Sequence, residues 1–284
     1  MITIAKRNMK LFFRDKSSVF FSLLAVFIII GLYVLFLGDV FSSDMAEFPN
    51  PAFLMNSWIM GGMLAVTAIT TTMGAFGIMV EDRSNKILKD FYTSPLKRTK
   101  LAGGYIVASV AVGIIMTLVT LVLAEIFIVG KGGELLEMDT LLRVLGLIVL
   151  SVVSGSSMVF FMVSFFSSNN AFATASTVLG TLIGFLTGIY VPIGSLPDGV
   201  QFVIKCFPPS YAAAMLRQNM MQKAIDVNFA GIPAQYADSF KETMGVILKF
   251  GDHVVTTQES ILILIATTVV FYGLSVISLS RKMK

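Results

Sequence analysis

Few residues in this chain have the types and spacing that do chemistry. A single histidine, His253, and a single cysteine, Cys206, cannot assemble a His- or Cys-based metal centre, and one cysteine excludes an internal disulfide framework. No Gly-x-x-x-x-Gly-Lys-Ser/Thr loop is present to cradle nucleotide phosphates, and no Gly-x-Ser-x-Gly elbow is present to expose a nucleophile. Ser154-Gly155-Ser156 offers hydroxyls in an apolar run, but a serine nucleophile there needs a base at the same depth, and His253 lies in a polar section. The chain is therefore read as a non-enzyme. Glu125 is the acidic residue well inside an apolar run. Ionisable groups in such runs are costly to bury and are often functional. That makes Glu125 a candidate pathway residue, against the plainer reading that it reaches water from the end of its span.

The elements that hold these residues are set by composition. Of 284 residues, 56% are hydrophobic and only 13% charged, and mean hydropathy is +0.84. A soluble domain carries roughly 25% charged residues, so the chain reads as an integral membrane protein with one membrane domain over 1–284. Its net charge of +4 does not point to nucleic acid, because the basic residues cluster between and beside the apolar runs. The run Val19–Leu37 is too long for a signal-peptide core and no small-residue cleavage site follows, so it reads as a retained span.

Six apolar runs near the ~20 residues needed to cross hydrocarbon fall at about 18–37, 56–80, 101–129, 140–166, 171–191 and 261–279. Before the first, residues 2–16 carry Ile2, Ala5, Met9, Phe12 and Phe13 on one face with five interleaved cations, either as an interfacial helix or as a plain basic flank. The loop after the first run holds Asp39, Asp44 and Glu47 and no base. Between the second and third runs lies a polar, basic island, 81–100. Ile87, Leu88, Phe91 and Tyr92 recur there at helical spacing, and Pro95 ends the helix. This amphipathic helix suits either lipid headgroups or a groove on a soluble partner. The fifth run carries Ser176, Gly180, Gly184 and Gly188 four apart, a stripe that lets backbones approach within one subunit or between two.

After Val191 the pattern breaks. Pro192 and Pro197 bracket one turn, Val200–Phe207 is apolar but too short to cross, and Pro208-Pro209-Ser210-Tyr211 break the chain again. This spacing predicts a re-entrant hairpin over 192–211. A mixed extracytoplasmic segment over 212–260 follows. Lys and Arg concentrate in the N-terminal segment, the island and the C-terminal tail, so the positive-inside rule places both termini and the island in the cytoplasm. No internal repeat supports a transporter of inverted halves.

In this order and spacing the pieces resemble, over essentially the whole length, a permease subunit of an ABC-2 type ABC exporter. Residues 2–16 resemble that family's connecting helix. The island (81–95) resembles its coupling helix, with Glu81-Asp82 at its start, Leu88 and Phe91 on one face, and Ser94-Pro95 at its end. Pro192–Pro197 through Pro208–Tyr211 resemble its outer re-entrant helices. Lys86-Ile87 stands where many members have Gly-Thr, and the section after Tyr211 is longer than in the shortest members.

The resemblance implies an all-α protein of six spans in the cell membrane, paired with a second permease subunit. It also implies a separate P-loop ATPase subunit, with ATP and Mg on that partner and no cofactor in this chain. The ATPase would dock on Ile87, Leu88, Phe91 and Tyr92, subunits would pack through Ser176, Gly180, Gly184 and Gly188, and Pro192, Pro197, Pro208, Pro209 and Tyr211 would form an outer gate. Among family substrates, the many Met and Phe residues favour a hydrophobic drug or antimicrobial peptide over a polysaccharide or lipid-linked polymer. An ATP-independent channel or scaffold is the rival from another class.

Overall fold

The computed structural model describes residues 1–33, 35, 48–93 and 97–281. The acidic loop with Asp39, Asp44 and Glu47, the Ser94-Pro95 terminus of the island, and Lys282 and Lys284 of the tail lie outside the described residues.

Helix α1 (Ile2–Arg14) and α2 (Lys16–Leu32) meet at a 76° bend. Asp15 makes the corner. Its carboxylate accepts from the Ser17 N–H at 3.0 Å and the Ser18 hydroxyl at 2.5 Å, capping α2. Those hydrogen bonds, chiefly from Ser18, hold the Asp15 carboxyl below its ordinary pKa.

The central element is α3 (Pro51–Ser84). Asn50 caps it through the Phe53 N–H at 3.0 Å, and Pro51 pre-sets its first turn. At 34 residues it is about 50 Å long, longer than the ~30 Å hydrocarbon core. Most of its residues are buried, as expected of a helix apolar on all faces and surrounded by others. Thr70, Thr71 and Thr72 satisfy their hydroxyls on the helix's own backbone, as Thr71 does on the Thr67 carbonyl at 2.6 Å, so they sit at depth without stranded donors. A neighbour also bonds to it: the Ser109 hydroxyl donates to the Thr72 carbonyl at 3.0 Å.

A short α4 (Ile87–Thr93) follows, then α5 (Arg98–Gly130), α6 (Met138–Val163) and α7 (Asn169–Leu186). Next come a 3-10 turn at Ile193–Ser195, α8 (Asp198–Cys206), α9 (Pro208–Asn228) and α10 (Ala234–Thr243). A two-stranded hairpin pairs Lys249–Phe250 with His253–Val254, and α11 (Thr257–Arg281) ends the described chain. One large core, centred on α3, takes in residues from most of these helices. A smaller one, of Ile193, Ile204, Tyr211, Ala214, Leu248 and Val255, holds the turn–helix–hairpin cap together.

Among the described residues, four helices are long and apolar enough to cross a membrane: Pro51–Ser84, Thr99–Gly130, Met138–Val163 and Thr257–Ser278. The bent pair α1–α2 makes a fifth if counted as one span. The expected fifth span, α7, is helical, but Asn169, Asn170 and three threonines keep it out of that set. The expected break at Pro208–Tyr211 falls at Phe207, between α8 and α9, and a long helix follows it. Pro208 and Pro209 occupy the first turn of α9, where a missing N–H costs nothing. Ala212–Ala214, Met215 and Leu216 then carry the helix on to Asn228.

Candidate functional site

The polar island is anchored from three directions. Asp82, on the last turns of α3, has a side chain only 4% exposed. Arg7 of α1 donates both guanidinium arms to it, at 2.6 and 2.9 Å, and the Tyr105 hydroxyl of α5 donates to the same carboxylate at 2.5 Å. A planar guanidinium fits a carboxylate in this two-pronged way. Its hydrogen bond to Asp82 raises the Arg7 pKa above its already high value, against the opposing effect of burial. The Arg7 guanidinium also lies over the Phe91 ring, 5.5 Å from its centroid. Arg83 reaches the other way and donates to the Phe166 carbonyl at 2.5 Å, tying the foot of α3 to the turn after α6.

Helix α4 is thus a short rod pinned beneath the bundle. The chain enters it through Asn85 and Lys86, and Lys86 takes the left-handed conformation at φ 62°. A non-glycine residue at this φ is uncommon. Of the expected docking residues, Leu88 is turned inward and 7% exposed, packed in the main core. Phe91 is half-buried under Arg7. Ile87 is half-exposed beside exposed Lys86, Lys89, Asp90 and Thr93. The side chain of Tyr92 lies outside the described residues.

The small-residue stripe of α7 does not act as one surface. A Cβ at Gly180 would meet nothing, so that position is open. A Cβ at Gly184 would strike the ring of Tyr190, which the chain folds back over it. Gly188 lies beyond the helix at φ 67° and makes the turn. The Ser176 hydroxyl is buried without a hydrogen-bond partner.

At the opposite end of the molecule, the expected gate prolines organise the cap. Pro192 precedes the 3-10 turn, Pro197 precedes α8, and Pro208 opens α9, with Pro209 buried beside it. Tyr211 is 5% exposed and donates its hydroxyl to the Lys205 carbonyl at 2.6 Å. Ser210 donates to the Leu186 carbonyl at 2.7 Å, joining the cap to the end of α7. Glu125 stands apart from both groups, on α5, where one carboxylate oxygen accepts the Leu136 N–H at 3.0 Å.

The residue with no counterpart in the sequence reading is Arg217. It lies fully buried on α9 and donates to the Thr187 and Gly188 carbonyls at 2.9 Å each, at the end of α7. It stacks 4.9 Å from the Trp58 ring centroid. Gly61 and Gly62 of α3 make the room: a Cβ at Gly62 would fall 2.6 Å from the guanidinium. The carbonyls left without partners at a helix end carry negative partial charge. The cation therefore finds partners without a carboxylate. The signal in the sequence was a lone arginine directly after the small and apolar run Tyr211–Leu216.

A family model described as ABC-2 family transporter protein matches residues 50–277, well over half of the chain. The chain belongs to the ABC-2 transporter family. It is an ABC-2 type permease, a multi-pass, all-α membrane component of a transport system. A search of curated proteins found no match. The matched range of this permease takes in α3, the island, the cap and most of α11, and begins after α1 and α2.

Proposed function

We propose that this ABC-2 permease is the membrane-spanning subunit of an ATP-driven exporter. It carries a hydrophobic drug or antimicrobial peptide out of the cytoplasm or the inner leaflet. A separate P-loop ATPase, holding ATP and Mg, drives it. The observation that carries this reading is the pinned island. Helix α4 follows directly on the foot of α3, where Asp82 ties α1 and α5 together through Arg7 and Tyr105, and Arg7 also lies over Phe91 of α4, so a push on α4 acts on the junction of those three helices. Its outward residues, Ile87 with Lys86, Lys89, Asp90 and Thr93, form the docking face. Leu88 and Phe91 serve by holding the rod in place. The charge pattern puts this end in the cytoplasm with both termini and puts the cap outside. A second permease subunit packs on the open side of α7 near Gly180, and the cap of Pro192–Tyr211 closes the outer end of the path.

The test is purification of the tagged permease from its native membranes, with bound P-loop ATPase identified by mass and substrate efflux measured in parallel. Ile87→Asp keeps the permease in the membrane but releases the ATPase and stops efflux. Retention of the ATPase and full efflux in that variant would overturn the docking face. Efflux that persists with no ATPase bound would favour the ATP-independent channel instead. Efflux of a sugar or lipid-linked polymer, rather than of drug or peptide, would overturn the substrate class.

A further inference from the structure

A cavity of about 90 Å³ lies between the upper parts of α3, α5 and α9 and the segment that joins α5 to α6. Its wall is unusual for a membrane protein. Four carboxylates line it, Glu125, Glu134, Glu137 and Asp226, against one cation, Lys223. Two buried polar atoms on this wall have no partner. One is the hydroxyl of Ser57, a residue 0% exposed, and the other is the Oε1 atom of Glu125. Buried polar groups are nearly always hydrogen-bonded, so each such exception asks what completes it. An ionised carboxylate only accepts, and the hydroxyl accepts as well as donates, so a single group carrying several N–H donors would complete both.

The surroundings narrow the class of donor. An anion is excluded by the charge of the wall. A multiply liganded metal ion is disfavoured, because among the described residues no group of three Asp, Glu, His or Cys is placed to hold one. A drug-sized molecule needs roughly 300 Å³ or more, so the cavity takes a group rather than a whole ligand. The chain already shows which group fits. The Lys223 ammonium pairs with Glu134 at 2.6 Å and with Glu137 at 3.5 Å, and its side chain is 40% exposed, free to be displaced. Phe53, Ile128, Leu136 and Met220 on the same wall offer an apolar bed for a short alkyl stem.

We propose that this cavity binds the protonated primary amine of a cationic ligand, with Ser57 and Glu125 completing the ammonium and Lys223 as the tethered amine that the ligand displaces. Such an amine brings three N–H donors, enough for Ser57, Glu125 and one carboxylate of the rim. The site is a property of this chain alone and goes beyond the export reading. Its failure would leave ATPase docking untouched, and failure of docking would leave the site standing.

The test uses the full-length permease in detergent, titrated calorimetrically with butylammonium chloride. 1-Butanol serves as the uncharged counterpart, sodium chloride as the plain cation, and empty micelles as the blank. Butylammonium binds and the other two do not. Glu125→Gln, which keeps the acceptor for the Leu136 N–H, weakens binding tenfold or more, and Ser57→Ala weakens it less. Lys223→Gln tightens it several-fold, a gain that a misfolded protein cannot produce. Equal binding of 1-butanol would reduce the cavity to an apolar hole, and equal binding of sodium would make it a general cation sink. Unchanged affinity in Lys223→Gln would remove the displaced amine. Any of these results overturns the proposal.

Discussion

Replacing Arg7 with alanine strands the Asp82 carboxylate, and the structure allows the cost to be worked out. Removing one partner of a fully buried ion pair costs about 3–5 kcal/mol, because the remaining charge is left without compensation. Asp82 is that buried partner, at 4% side-chain exposure, but Arg7 is 33% exposed. Water can therefore reach part of the vacated space, and Tyr105 still donates one hydrogen bond. The cost falls to roughly 2–3 kcal/mol. Asp82→Asn is the milder change. Arg7 can turn to water, the Asn carbonyl still accepts from Tyr105, and the loss approaches the ~1 kcal/mol of a rim pair. The order Arg7→Ala worse than Asp82→Asn, with the double variant close to Asp82→Asn, is the signature of a stranded charge rather than of two lost contacts. The readout is local. Ala5 of α1 is 4% exposed, so a cysteine placed there in a Cys206→Ser background reports detachment of α1 by its rate of thiol labelling. At 1.4 kcal/mol per factor of ten, Arg7→Ala should label roughly thirty- to a hundred-fold faster than the parent and Asp82→Asn only several-fold faster. Equal rates for Arg7→Ala and the parent, or a larger effect for Asp82→Asn, would refute the reasoning.

Leu88→Asp should lower the amount of folded permease recovered, since it forfeits ~1.5–3 kcal/mol of side-chain burial and adds a desolvation cost. Ile87→Asp should melt like the parent, and equal melting of both variants would place Leu88 outside the core. Gly180→Leu should insert and melt normally, because its new side chain meets nothing within the chain, yet reduce subunit cross-linking. An undiminished cross-link would move the subunit interface off α7. Cysteines at Lys131 and Asp238 in the Cys206→Ser background should react with an impermeant thiol reagent in intact cells, and one at Lys89 only after permeabilisation. Labelling of position 89 in intact cells would reverse the orientation.

What the sequence by itself determined is what adds up residue by residue. Apolar runs identify spans because transfer into hydrocarbon is nearly a sum over side chains, and α3, α5, α6 and α11 fall where those runs lie. Lys and Arg placement set only an expected orientation, and the order of amphipathic helix, island and proline turns was enough for the family resemblance that the match over 50–277 bears out. The marginal runs are where hydropathy says least: α7 is helical but interrupted by polar residues, and the prolines at 208 and 209 follow the end of the short α8 and open the long α9. What only the tertiary structure decided is which polar group meets which. Arg7 finds Asp82 across 75 residues of sequence, Arg217 finds the end of α7 across about 30, and Glu125 shares a wall with Ser57. Helical spacing put Leu88 on an apolar face but could not say whether that face looked out to a partner or in to the chain's own core. Hydropathy is local, whereas the partner of a buried charge is fixed by packing between distant helices, and that information exists only once they have come together.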